Sequence, residues 1–281
     1  EKSGSKAGPP ATPRVAWRAG RDFYLAYAPE RIDPGNKFPF NDIPKVVGGI
    51  DGKSTELATA FYLTFLKNVY KVSSPRAAEF TKLLENIFRL VNVSAINELK
   101  LLADKMGIDI WEVIEAAKTK PYGYMAFYPG PGVGGHCIPV DPFYLSWKAK
   151  EYGFFARFIE LAGEINELMP HHVVTKVIWA LNQHKKPLQD SKILVIGVAY
   201  KKDVDDSRET PATPIIKDLI RKGADVSYHD SHIPQFKVGS RELKSVSLSK
   251  SLLKSADCIL ILTDHSSVDY SAAAKLAKLI V

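Results

Sequence analysis

Cys137 closes a stretch whose composition makes little sense as packing: Phe127-Tyr128-Pro129-Gly130-Pro131-Gly132-Val133-Gly134-Gly135-His136-Cys137, followed by Ile138-Pro139-Val140-Asp141-Pro142. Glycine loses the most backbone freedom on folding and adds no side chain to a core. Four glycines so close together predict a close approach of backbone N–H groups to a polar or anionic ligand, with Cys137 beside it as a candidate nucleophile. Asp141 can orient water or accept a proton, and directly before Pro142 it also suits a helix N-terminus. His136 adjoins the thiol, although neighbouring side chains along a chain usually diverge. Cys258, inside an apolar run, reads as core.

Lys82 and Asn86 are a helical turn apart and share a face. They make either a solvated polar face or a cation and an amide aimed at a developing oxyanion, where each donor is worth roughly 3–4 kcal/mol. Glu30 stands where a strand gives way to a loop, a common place for a general acid or base as well as for a surface glutamate. Lys201 and Arg208 lie between a strand and a helix N-terminus, where they would bracket a phosphate. The same segment holds as many acids as bases, which also fits a self-neutralising loop.

Gly130, Gly132 and Gly135 satisfy G-x-G-x-x-G, but no clean strand precedes them and Pro129 and Pro131 argue for a loop. A dinucleotide fingerprint needs a strand before and a helix after, so we reject it as a cofactor site. Hydrophobic content of 46% with 25% charged residues fits a soluble globular protein in two or three domains. No apolar run approaches a membrane span, and the polar, basic start is no signal peptide. Two cysteines in different contexts suggest no disulfide framework and a reduced, cytoplasmic setting. The net charge of +7 is partly concentrated in Lys2, Lys6, Arg14, Arg18 and Arg21. No basic block is interleaved with aromatics, so the charge points to an anionic small molecule rather than nucleic acid.

Residues 1–21 read as a disordered or atypical segment. Strands are expected at Phe23–Ala28, Lys45–Gly49 and Val69–Val72, with a helix over Ser54–Leu66 on the Leu57, Phe61, Phe65 spacing. Ser74-Pro75 opens a long helix ending near Met106, and Asp109–Glu112 a shorter one reaching Lys118. Pro142 to Gln183 reads as helix, with Pro170 starting a new segment or kinking it. Beyond the Pro187–Asp190 linker, strands at Lys192–Val198, Ala224–His229 and Cys258–Thr263 alternate with helices at Pro211–Lys222 and Ser249–Ser255. That alternation predicts a parallel sheet, and Leu279–Val281 reads as a further strand.

Together these groups resemble one family, the nucleotide-sugar 6-dehydrogenases (UDP-glucose and UDP-N-acetylhexosamine dehydrogenases). The carrying motifs are Ala28-Pro29-Glu30-Arg31, Ala78-Glu79-Phe80-Thr81-Lys82 with Asn86, Gly134-Gly135-His136-Cys137 with Asp141, and Gly197-Val198-Ala199-Tyr200-Lys201-Lys202-Asp203 with Asp206-Ser207-Arg208-Glu209. The resemblance covers about residues 22–281. Pro29–Gly35 and Gly135–Leu145 look most like the UDP-N-acetylglucosamine branch, with UDP-N-acetylmannosamine and UDP-glucose dehydrogenases as alternatives.

The resemblance implies an α/β fold: 22–74 as the remnant of an N-terminal Rossmann-like NAD-binding sheet, 75–185 as a helical domain carrying the cysteine loop and pairing into a homodimer or higher homo-oligomer, and 191–281 as a Rossmann-like UDP-binding domain, truncated at its end. It implies NAD-dependent oxidation of a sugar C6 alcohol to the acid through a Cys137 thiohemiacetal and thioester. Lys82 and Asn86 would stabilise the oxyanion, and Glu30 and Asp141 would handle protons and water. Phe127, Tyr128, Gly130, Gly134, Lys201 and Arg208 would hold the UDP-sugar. Nothing before Phe23 resembles the family's NAD-binding strand and glycine turn, and Pro9–Arg18 looks like an insertion. The expectation is a fragment without its main NAD site and without turnover of its own; the alternative class is an inert UDP-sugar-binding module.

Overall fold

The computed structural model describes residues 17–281 apart from positions 34, 36 and 37. Most of the 1–21 segment therefore lies outside the described residues, as do Lys2, Lys6, Arg14, most of Pro9–Arg18, and Pro34 of the Pro29–Gly35 motif. Where described, this segment is ordered locally: the Arg18 N–H donates to Asp22 Oδ2 (2.9 Å) and the Gly20 N–H to Phe23 O (2.8 Å), closing a tight turn. The described chain forms two compact units that divide between Lys82 and Leu83.

The first unit is a small sheet with one crossover helix. Its strands are β1 (Ala26–Tyr27), β2 (Lys45–Gly49) and β3 (Val69–Lys71), in spatial order β1-β2-β3; β1 runs antiparallel to β2, and β3 parallel to it. The first strand is shorter than its apolar run suggests, because only Ala26 and Tyr27 find ladder partners, while Tyr24 and Leu25 remain exposed. α1 (Gly52–Leu63) begins ahead of its expected start because Asp51 caps it, accepting from the Ser54 N–H (2.7 Å). The Leu57, Phe61, Phe65 stripe has the helical period but faces outward; Ser54 and Thr59 are the buried positions.

The long α2 (Pro75–Met106) crosses the division. Ser74 caps it by accepting from the Ala77 N–H (3.2 Å), and Pro75 occupies the first position, where its missing donor costs nothing. In the second unit α3 (Ile110–Lys118) is capped by Asp109, and α4 (Asp141–Ala149) and α5 (Arg157–Gln183) follow the cysteine loop. The continuous helix expected from Pro142 to Gln183 is thus two helices. They part at Gly153, whose φ of +67° no helix accommodates, whereas Pro170 lies buried within α5.

α5 serves two cores. Its first half packs Ile159 and Ala162 against Leu90 of α2 with Val133, Ile138 and Phe143. Its second half contributes Val174, Val177 and Leu181 to the core of the C-terminal sheet. That sheet is parallel, ordered β5 (Asp225–His229), β4 (Lys192–Ile196), β8 (Cys258–Ile261), with Ile280 bridging to Ile259 at the far edge. α6 (Ala212–Arg221) connects β4 to β5, while α7 (Lys250–Ser255) and α8 (Tyr270–Leu276) flank β8. A hairpin of β6 (Gln235–Val238) and β7 (Arg241–Lys244) was not expected, although Phe236 and Val238 alternate with polar residues and Gly239 supplies the turn at φ +61°.

Candidate active site

Cys137 is exposed at the end of the glycine loop. Its carbonyl accepts from the Asp141 N–H (2.9 Å), so the chain turns from the cysteine straight into α4. Val140 takes the cap position, and Asp141, the first residue of the helix, uses its side chain elsewhere: Oδ2 accepts from Asn86 Nδ2 (3.0 Å). Asn86 is 4% exposed. The predicted pair of Asn86 and Asp141 is therefore joined, and it fastens the segment just after Cys137 to α2. Lys82 precedes Asn86 by one turn of α2 and is half-buried.

The glycines answer to a neighbour within the protein. A side chain at Gly134 would meet Tyr200 Cβ at 2.7 Å, Glu209 O at 3.0 Å and Pro211 Cδ at 3.1 Å; one at Gly135 would meet the Tyr200 ring at 3.0 Å. The Gly135 N–H donates to Arg208 O (3.0 Å) and the Gly130 N–H to Asn97 Oδ1 (2.9 Å). Close backbone approach, read from the sequence as room for a ligand, is here largely approach to the 200–211 segment and to α2. Arg208 and Asp206 form a forked pair, with Nε at 3.0 Å and Nη2 at 2.6 Å from the carboxylate. Arg208 chiefly, and His136 more weakly, hold the Asp206 carboxyl below the usual range, and Cys137 lies close enough to Arg208 to belong to its electrostatic surroundings. Cys137, His136 and Arg208 thus share one neighbourhood. Lys201 lies half-buried in the same segment. Phe127 packs edge-on against Phe88, and Tyr128 stacks on Trp111 while donating to Glu115 Oε1 (2.7 Å), so both rings are pinned to helices.

Two family models match this architecture. The central domain of the UDP-glucose/GDP-mannose dehydrogenase family matches residues 76–168, and its UDP binding domain matches residues 194–280. The chain belongs to the UDP-glucose/GDP-mannose dehydrogenase family. It is 35% identical over 260 residues to a UDP-N-acetyl-D-mannosamine dehydrogenase of Methanococcus maripaludis, covering 92% of this chain and 57% of that protein. An NDP-N-acetyl-D-galactosaminuronic acid dehydrogenase of Ralstonia nicotianae is 36% identical over 250 residues, 87% of this chain and 56% of the relative. Among solved structures, the UDP-D-ManNAc dehydrogenase of Pyrococcus horikoshii superposes with a TM-score of 0.82 at 33% identity, covering 94% of this chain and 62% of that one. The chain thus spans less than two thirds of the length of these relatives.

NAD is the cofactor expected from the family resemblance, and the turns after β2 and β4 do not fit it. After β4, the Val198 and Ala199 N–H groups, placed where a dinucleotide fold receives pyrophosphate, both donate to Asp230 Oδ2 (2.7 and 3.0 Å). After β2, the Asp51 carboxylate covers the start of α1. Each turn is closed by a carboxylate of its own, which would repel phosphate.

Within the first unit, Glu30 accepts from the Arg31 and Ile32 N–H groups (2.8 Å each) and pairs with Lys45 (3.0 Å). Partial burial works against its ionised form, but the Ile32 N–H and Lys45 outweigh it and hold the carboxyl below the usual range. Such a group is better suited to holding charge than to taking up a proton near neutrality. Burial pushes the Cys258 thiol up to about 12, as befits a core residue. Asp203, His232 and His265 lie close enough to suggest a metal. His265, however, accepts from the Asp203 N–H at Nδ1 (3.0 Å) and bonds Asp230 through Nε2 (3.0 Å), which leaves its ring no lone pair for an ion.

Sequence reasoning missed Ser94, Asn97 and Asn166, all buried between α2 and α5. Their signal was present: Ser94 and Asn97 continue the Ile87, Leu90 spacing, so polar side chains occupy the apolar face.

Proposed function

We propose that the protein containing this chain oxidises C6 of a UDP-N-acetylhexosamine from alcohol to carboxylate, with Cys137 holding the aldehyde between the two oxidations. The observation that carries this is the exposed Cys137 on a loop tied down on both sides, through Gly135 to Arg208 and through Asp141 to Asn86. The thiolate sulfur adds to the aldehyde carbon, a C–S bond forms and the carbonyl oxygen becomes an oxyanion. The Asn86 amide and the Lys82 ammonium are the donors assigned to that oxygen. In the closing hydrolysis, water adds to the thioester carbon, Asp141 receives its proton, and the C–S bond breaks to return the thiolate, while Glu30, held ionised by Lys45, is proposed to contribute charge rather than to take up the proton. NAD is the hydride acceptor that the resemblance implies; neither turn described above receives it, and only capture and hydrolysis are assigned to residues here.

The motifs resemble the N-acetylglucosamine branch, while the relatives carry N-acetylmannosamine and N-acetylgalactosaminuronic names. The element common to all is a 2-acetamido sugar, which sets the proposed substrate class. Lys201, Arg208 and the Phe127–Gly134 loop are proposed to hold the UDP-sugar. Pairing of two copies through the helical region is supported by Phe154, Phe155 and Phe158, each more than 60% exposed. The carboxylates that close the turns after β2 and β4 also favour a second reading, in which this chain binds UDP-sugar without turning it over.

Titration calorimetry with UDP-N-acetylmannosamine, UDP-N-acetylglucosamine and their C6 aldehydes tests the proposal without cofactor. Wild-type chain should bind the aldehydes more tightly than the alcohols, and Cys137→Ser should abolish the difference. Binding of the alcohols with no aldehyde preference would leave only the binding-module reading. No heat with any of them would refute both.

A further inference from the structure

Gly130, seven residues before Cys137, is tied to α2 by a side chain that no solvent reaches. Its N–H donates to Asn97 Oδ1 (2.9 Å), Asn97 Nδ2 donates to Asn166 Oδ1 of α5 (2.9 Å), and Asn166 Nδ2 donates to Ala162 O (2.9 Å) and Ser94 Oγ (2.6 Å). Asn97 is 0% exposed and Asn166 9%. The chain of bonds has a direction, running from a backbone donor to a backbone acceptor. Turning either amide over would set two donors or two acceptors face to face. Leucines would fill a helix–helix seam without the desolvation penalty that each unpaired polar group risks. What leucine cannot do is hold the amide of a loop residue.

α5 supports the same loop a second way. Pro170 removes the helical donor that would otherwise reach the Asn166 carbonyl, and a side chain at Gly132 would meet that oxygen at 3.4 Å. Beyond Cys137, Asp141 is bound to Asn86. Asn86 and Asn97 lie on one helix, about 16 Å apart along its axis.

We propose that Asn97 is a positioning residue for the Cys137 loop, holding its entry arm through Gly130 while Asn86 holds its exit arm through Asp141. The spacing of two asparagines on a rigid helix then sets where the thiol stands. This rests on the reading of Cys137 as the nucleophile, but its test needs no turnover.

The test is hydrogen exchange by mass spectrometry on the full chain, followed with pH, together with iodoacetamide alkylation of Cys137. In Asn97→Leu, peptides spanning 127–141 should exchange about tenfold faster and Cys137 alkylation should change about threefold, with β4 and β8 peptides unchanged. Asn97→Asp should be rescued by a proton. The neutral acid accepts from Gly130 and donates to Asn166, whereas its carboxylate can only accept. Its loop should therefore exchange like wild type at low pH and like Asn97→Leu above the titration. A helix-packing role alone would loosen α2 and α5 without that break. Loop exchange within about twofold of wild type in Asn97→Leu, or no pH break in Asn97→Asp, overturns the proposal, and the aspartate variant decides if the leucine variant does not fold. Failure of the nucleophile reading would show instead in the Cys137→Ser titrations, with these exchange results intact.

Discussion

Two glycines of the same loop should respond oppositely to alanine. Neither Gly130 nor Gly134 has a positive φ, so backbone conformation does not separate them. Space does. A Cβ at Gly134 would stand 2.7 Å from Tyr200 Cβ and 3.0 Å from the Glu209 carbonyl oxygen, whereas at Gly130 the nearest atom is Gly132 O at 3.8 Å. The obstacles at Gly134 are backbone, a Cβ and a proline ring, which cannot swing aside as a flexible side-chain tip would. Overpacking of that kind costs about 2 kcal/mol, which for a unit of this size is roughly 4–8 °C in melting temperature. Gly130→Ala should instead be neutral or stabilise by about 0.4–1 kcal/mol, since it restricts the unfolded chain. Urea unfolding followed by tryptophan fluorescence measures both, because Trp111, Trp147 and Trp179 lie in the second unit. Equal losses at the two positions would refute the packing explanation of Gly134. They would return the loop to the reading taken from the sequence, glycines kept open for a ligand.

Asp257 offers a pH test. It pairs with Lys186 (2.5 Å) and Lys278 (3.3 Å) and accepts from the Lys192 N–H (2.9 Å), contacts that outweigh burial and hold its carboxyl at about 2. A depressed folded value stabilises above the unfolded value, so Asp257→Asn should cost about 2 kcal/mol at neutral pH, a deficit that shrinks as pH falls from about 4 to about 2; a pH-independent difference in urea stability would contradict it. In the native chain, iodoacetamide should modify exposed Cys137 and spare buried Cys258, whose thiol stands at about 12, until urea unfolds the protein. Peptide mass spectrometry distinguishes the two, and native labelling of Cys258 would show its strand to be open.

Much of the architecture was legible where one local rule sufficed. Ser74-Pro75 and Asp109 marked helix starts because capping depends on a few neighbouring residues. The parallel order of the C-terminal strands followed from their alternation with helices. What failed needed distant partners: the Phe23–Ala28 run pairs only through Ala26 and Tyr27, and Leu57, Phe61 and Phe65 have the period of a core face without being one. The break at Gly153 and the continuity through Pro170 inverted the expected weights of glycine and proline. A left-handed glycine ends a helix outright, whereas a buried proline is tolerated when the carbonyl it orphans meets another surface.

The sequence by itself determined which chemistry is available: a cysteine after a glycine-rich loop, an aspartate one turn on, and a lysine and asparagine on one helix face. These are statements of residue type and short spacing, which survive without coordinates. Only the tertiary structure decided that Asn86 holds Asp141, that Asn97 holds Gly130, and that Gly132, Gly134 and Gly135 face Tyr200 or Pro211 rather than open space. It also decided that Asp230 fills the turn after β4. Each of these joins residues at least 31 positions apart, and no periodicity reports such a pair. Hydrogen bonding and close packing are conditions on atoms in space, and the chain order that encodes them does not display them.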